Sequence, residues 1–185
     1  GSAGSYSTTS GWDLTNDRGE TPSAVQSSTG DQYAYFKDIN SSSFYVETEI
    51  TVSKDLGDSF PKFGLAARVG DNTLFFYIDG SSNYNAQRVG YVSRNDKGEW
   101  AWGTNDNKEQ QVDIGKYTDG EYVKLGMLRD GNTFKLYVND QLIFTVTDVR
   151  GFGFDKASVA AVLTFTTGVT IRNYSATTDI ASVEK

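Results

Sequence analysis

The chain carries 185 residues, a formal net charge of −7, no cysteine, no histidine, two prolines, nineteen glycines, and an aromatic set of three tryptophans, eleven tyrosines and eleven phenylalanines. A length within the ~100–200 residues served by one core favours a single domain that buries roughly 70% of its unfolded surface. The absent residue types exclude Ser-His-Asp and Cys-His nucleophiles, His- or thiolate-bound metals, iron–sulfur clusters and disulfides, while the negative charge disfavours nucleic acid or an anionic membrane as partner.

The chemistry that remains uses carboxylates, Tyr, Lys or Arg, or is binding without catalysis. At the start, Gly1-Ser2-Ala3-Gly4-Ser5 has neither the basic nor the apolar region of a signal peptide. Residues 1–8 read as linker or cloning-derived residues, 9–176 as one β-sandwich domain, and the small, polar 177–185 as a linker-like tail. The expectation is a module of a longer, multidomain protein. No run of about 18 apolar residues is present to insert into a membrane.

Strand-period alternation recurs along almost the whole chain, and helix-period stripes are scarce. Early strands are read near Trp12–Thr15, Ala24–Ser27 and Tyr33–Lys37, with Trp12 assigned to the core. From Phe44 to Val52, Phe44, Val46, Thr48, Ile50 and Val52 share one face, and Tyr45, Glu47, Glu49 and Thr51 the other. Phe63–Val69, the turn Gly70-Asp71-Asn72, and Thr73–Asp79 make a hairpin. Its second arm sets Leu74, Phe76 and Ile78 against Phe75, Tyr77 and Asp79.

Further strands are expected at Gln87–Ser93, Gln111–Ile114, Tyr122–Arg129, Thr133–Asn139, Leu142–Thr147, Val159–Phe165 and Val169–Ala176. Asp130-Gly131-Asn132 and Asn139-Asp140 tolerate the positive φ of tight hairpin loops, so the run 122–147 folds as a meander. Both prolines, Pro22 and Pro61, fall outside the strands, as ladder hydrogen bonding requires. A dozen or so strands with long loops at 54–61, 80–86, 94–110 and 148–157 predict an all-β, two-sheet antiparallel sandwich of jelly-roll type.

This order resembles the concanavalin A-like lectin/glucanase superfamily, in its laminin-G-like and bacterial carbohydrate-binding branches. The residues that carry the resemblance are Phe44–Val52, the pair Gly64-Leu65-Ala66-Ala67-Arg68-Val69 and Leu74-Phe75-Phe76-Tyr77-Ile78, the meander from Tyr122 to Asp140, and the closing Val169-Thr170-Ile171-Arg172-Asn173-Tyr174. The likeness spans about residues 30–176. It implies a jelly roll, a choice among carbohydrate-binding modules, lectins, adhesion modules and glycoside hydrolases, and a structural Ca²⁺.

Two constellations carry chemistry. Glu47 and Glu49 lie two apart on one strand, a spacing compatible with a glycosidase acid/base pair. The glucanase signature Glu-x-Asp-x-x-Glu is absent, and solvated carboxylates on a strand's outer face are the plainer alternative. Arg68, Tyr77, Asp79, Tyr84, Arg88, Trp100 and Trp102 mix aromatic faces with paired hydrogen-bonding groups, which is what stacking on a sugar ring and gripping its hydroxyls needs.

In Trp100-Ala101-Trp102 both indoles share a side if the stretch is extended. They then form a binding platform or plug one end of the sandwich, with Arg68 and Asp79 as a cross-strand pair in the second case. Asp55/Asp58, Asp71/Asn72, Asp79 and Asn105/Asp106/Asn107 offer oxygen ligands for calcium, without EF-hand spacing.

The leading expectation is a non-catalytic module of a secreted or cell-surface protein, of bacterial type, that holds a glycan through these residues. The alternatives are an adhesive or structural module without sugar binding, and a carboxylate-dependent hydrolase or lyase.

Overall fold

The computed structural model describes residues 13–14, 32–52, 62–79, 87–104, 108–115, 121–147, 154–165 and 169–183. The predicted strand at Ala24–Ser27, Trp12 and Tyr84 lie outside the described residues. Twelve strands are described: β1 (Asp13–Leu14), β2 (Gln32–Ser41), β3 (Ser43–Val52), β4 (Lys62–Val69), β5 (Asn72–Asp79), β6 (Gln87–Arg94), β7 (Glu109–Gly115), β8 (Val123–Asp130), β9 (Thr133–Val138), β10 (Gln141–Val146), β11 (Ser158–Thr164) and β12 (Val169–Thr177). They form a seven-stranded sheet, β1-β2-β11-β4-β5-β6-β7, and a five-stranded sheet, β10-β9-β8-β3-β12. Pairing is antiparallel apart from β1 with β2. The all-β sandwich expectation holds.

The sheets face each other through the side chains that the period-2 pattern assigns inward. Phe44, Val46 and Ile50 of β3 meet Phe63, Leu65 and Ala67 of β4, Leu74, Phe76 and Ile78 of β5, and Val89 and Tyr91 of β6 in one buried cluster. Each large side chain buried there stabilises the fold by about 1.5–3 kcal/mol relative to exposure. The Asn139-Asp140 turn takes the left-handed conformation at both residues (φ 49° and 67°), as its composition predicts for a two-residue hairpin.

Among the described residues, one charged side chain lies inside this core. Arg129, 1% exposed, donates to the carbonyls of Gly131, Ser41, Phe154 and Lys156 and to Ser158 Oγ. The rings of Phe134 and Phe154 flank it. It ties β8 to the segment entering β11.

A short 3-10 helix, Ile180–Ser182, brings Ile180 and Val183 against Tyr45, Leu128 and Tyr137 on the outer face of the five-stranded sheet. Tyr45 is therefore buried although the alternation places it on the polar side of β3. Two apolar residues in a small, polar segment suffice to cover a patch this size.

Candidate functional site

The seven-stranded sheet presents its outer face as rows of side chains set by strand register. Across β4, β5, β6 and β7 the rows read Lys62, Asp79, Arg88, Asp113, then Gly64, Tyr77, Gly90, Gln111, then Ala66, Phe75, Val92, Glu109. The first row alternates in charge. The second holds one aromatic between two glycines.

That second row makes the floor of a depression. A Cβ on Gly90 would come within 2.7 Å of the Tyr77 hydroxyl oxygen, and a Cβ on Gly64 would run into the Phe76 carbonyl oxygen. Gly90 therefore lets the Tyr77 ring lean over β6, where Gln111 Nε2 donates toward the phenol oxygen at 3.5 Å. Aromatic side chains covering strand glycines in this way also secure register.

The wall comes from the β6–β7 connection. Ala101 N–H donates to the Ser93 carbonyl and Ser93 N–H to that of Lys108, so the loop continues the sheet edge before turning. Glu109 accepts from the backbone N–H groups of Gly103 and Thr104. Gly103 has φ +78°, a backbone conformation open to glycine.

This turn stacks Trp102 beside Trp100, centroids 5.6 Å apart and planes inclined by 29°. Trp102 meets Tyr77 edge-on at 5.4 Å, and Lys62 Nζ lies 5.4 Å from its ring centroid. Trp100 packs inward against Phe75 and Phe165. Trp102 stays 37% exposed.

A cleft of about 450 Å³ opens here, lined by Lys62, Tyr77, Asp79, Arg88, Trp102, Glu109, Gln111 and Phe165. That volume suits a small-molecule or sugar site. Asp79 is 2% exposed and holds Arg88 Nη2 at 3.3 Å and Lys62 Nζ at 3.9 Å. Burial first, then the negative charges of Glu109 and Asp79, push the Tyr77 phenol well above its ordinary range, against smaller opposing effects of Arg88 and the Gln111 hydrogen bond. The phenol stays protonated near neutral pH.

Of the residues singled out in the sequence, Tyr77, Asp79, Arg88 and Trp102 gather at this cleft, with Trp100 behind Trp102 as support. Arg68 does not join them. It opposes Thr73 beside the hairpin turn, six residues along β4 from Lys62. There its guanidinium donates to Tyr35 Oη at 2.8 Å, pairs with Asp71 and covers the Tyr33 ring. The expected Arg68–Asp79 pair is thus replaced by Lys62–Asp79, because a turn at Gly70-Asp71 sets Lys62, not Arg68, opposite Asp79.

Glu47 and Glu49 lie on the opposite side of the molecule. Glu47 pairs with Lys124 at 2.9 Å and Glu49 with Arg172 at 2.9 Å, both partly exposed. This favours the plain reading of solvated carboxylates over an acid/base pair.

Among the described residues no group of three acidic side chains gathers as a metal site. Asp55, Asp58 and Asn105, Asp106 and Asn107 lie outside the described residues. The sequence reading missed Lys62, Glu109, Gln111 and Phe165. Lys62 is recoverable by counting back from the hairpin turn. The other three reach the cleft through long-range pairing that no local pattern marks.

No protein-family model matches this sequence, and no curated protein sequence matches it. Solved structures do resemble it. The carbohydrate-binding module CBM66 from Bacillus subtilis aligns at 14% identity with a TM-score of 0.52, covering 80% of this chain and 83% of that one. The Caenorhabditis elegans galectin LEC-6 aligns at 11% identity and 0.54, over 85% and 95%. An alginate lyase from Alteromonas sp. 272 aligns at 12% identity and 0.53, over 80% and 77%. The chain shares with these structures its fold, the two-sheet antiparallel sandwich of jelly-roll type that the strand pattern predicts.

Proposed function

We propose that the domain is a non-catalytic carbohydrate-binding module whose site is the cleft between Trp102 and the Lys62–Asp79–Arg88 row. The observation that carries this reading is the pairing of an exposed indole with a row of hydrogen-bonding groups across one small cleft. The C–H face of a sugar ring stacks on the indole while its hydroxyls accept hydrogen bonds from Arg88 and Lys62 and donate to Asp79. A carbohydrate-binding module and a galectin among the structural neighbours support it.

The lyase neighbour raises an enzymatic alternative. Elimination needs a base that accepts a proton near neutral pH. In this cleft the phenol is held protonated and Asp79 is engaged by two cations, so the arrangement favours binding over turnover. In this reading the module belongs to a secreted or cell-surface, multidomain protein and tethers it to a glycan.

A glycan array probed with and without calcium, followed by calorimetry on the hits, tests the proposal. Binding that Trp102→Ala removes, with no unsaturated product by ultraviolet absorbance, is the expected result. No binding to any sugar overturns it in favour of an adhesive or structural module. A calcium requirement would revive the ion that the resemblance implies.

A further inference from the structure

We infer that the sugar taken by this cleft is uncharged, a neutral hexose or pentose with adjacent hydroxyls rather than a uronate. The inference rests on the carbohydrate-binding reading above and specifies its ligand class. Its ground is the balance of charge among the lining residues. Lys62 and Arg88 are the two cations, Asp79 and Glu109 the two anions.

These charges are already committed to partners. Lys62 and Arg88 approach the same Asp79 carboxylate oxygen, at 3.9 and 3.3 Å, and the Asp79 side chain is 3% exposed. Glu109 is occupied with the Gly103 and Thr104 N–H groups. An entering uronate has two options. It draws Lys62 and Arg88 away from Asp79, leaving a buried carboxylate uncompensated, or it sits beside Asp79 as a like charge. Both are unfavourable.

Hydroxyl groups face neither cost, because each donates and accepts at once. A neighbouring pair accepts from Arg88 or Lys62 while donating to Asp79, so every charge in the row stays paired. The other polar groups of the cleft, the neutral Tyr77 phenol and the Gln111 amide, are donor and acceptor in one side chain as well. Beyond Arg88 the row continues into Asp113, and the whole chain carries −7. Both repel a polyanion at longer range. Arg68 and Arg94, on the same sheet, are turned to other work. Arg68 pairs with Asp71, and Arg94 lies over the Trp100 ring.

The test measures binding of neutral oligosaccharides of glucose, galactose, mannose and xylose. Beside them stand oligogalacturonate and oligomannuronate, each with its carboxyl-reduced counterpart, which differs only at C6. The expected result is binding confined to neutral sugars, with any bound uronate at least about tenfold weaker than its reduced partner. Affinity for the neutral ligand should barely change from low to high salt. Asp79→Asn, which leaves the cleft with an excess positive charge, should narrow the preference or turn it toward the uronate.

Uronates that bind the unaltered protein more tightly than their reduced partners, in a salt-sensitive manner, overturn this inference while leaving the carbohydrate-binding reading intact. Absence of binding to every sugar overturns both. Should Asp79→Asn fail to fold, the salt dependence of the unaltered protein decides alone.

Discussion

The two outer faces of the sandwich solve one local problem twice and end differently. On each, a tyrosine leans over a strand glycine. Tyr77 covers Gly90, and Tyr45 covers Gly126, where a Cβ would run into its hydroxyl. Both phenols are buried, and burial is the first cause that raises each above its ordinary range.

Around Tyr45 the cover is the protein's own apolar tail, Ile180 and Val183. Around Tyr77 it is an indole held on a loop, beside an open cleft and a charged row. Similar sheet surfaces thus become scaffold or candidate site according to what lies over them. Carboxylates follow the same division. Glu47 and Glu49 pair outward on the closed face, whereas Asp79 is buried with its cations on the open one.

The largest expected effect tests what the two faces share. Burial raises the phenols of Tyr77 on one face and of Tyr45 and Tyr137 on the other above their ordinary value near 10. Below about pH 10 they are protonated in folded and unfolded chains alike, and their contribution to stability is fully present. As pH rises further, the unfolded chain sheds protons that the folded chain keeps. Stability then falls by up to about 1.4 kcal/mol per pH unit for each tyrosine. Urea titrations at rising pH should show this loss, and Tyr45→Phe and Tyr77→Phe, which remove one titrating phenol each, should lessen it. A pH dependence that only one of the two substitutions changes would mean that the other cover is open.

Next in size, Gly90→Ala should cost about 2–3 kcal/mol by displacing Tyr77, and should also abolish sugar binding. Gly126→Ala should cost a similar amount and leave binding untouched. Equal effects on binding would break the contrast between the faces.

Trp102→Ala sharpens it from the other side. Affinity should drop about 30-fold or more, as for a central stacking residue. Stability, measured by thermal melting, should change by less than about 1 kcal/mol because the indole is partly exposed. The double variant Ile180→Ala, Val183→Ala should do the reverse, losing about 1–2 kcal/mol with binding unchanged. The smallest effects belong to Glu47→Gln and Glu49→Gln, each under about 0.5 kcal/mol and silent in glycan binding. A loss of binding there would move the site to the other face.

Much of the fold was legible because a half-buried strand writes its burial as alternation. The hairpins β4–β5, β8–β9 and β9–β10 follow from apolar runs separated by Gly, Asn and Asp. Which strands from distant parts of the chain become neighbours is not written locally. β11 lies between β2 and β4, and nothing in Val159–Phe165 announces it.

The candidate site divides on the same line. Tyr77, Asp79 and Arg88 could be grouped because they face outward on sequential strands. Arg68 was grouped with them on facing alone, whereas register places it at the far end of its strand. Glu109 and Gln111 enter only through the pairing of β7 with β6, across a connection whose length leaves register open. Facing can be read from a sequence, but position along a strand requires the turn to be counted.

The hold of Glu109 on Gly103 and Thr104 has a thermodynamic consequence. The carboxylate belongs to a paired strand and the N–H groups belong to the loop, so Trp102 is placed before any sugar arrives. Ordering one large side chain at the moment of association costs about 0.5–1.5 kcal/mol. Here that entropy is surrendered during folding, so the stacking surface meets its ligand already organised. A loop cut free of Glu109 should therefore show its defect in the entropy of association, with the enthalpy of stacking largely preserved.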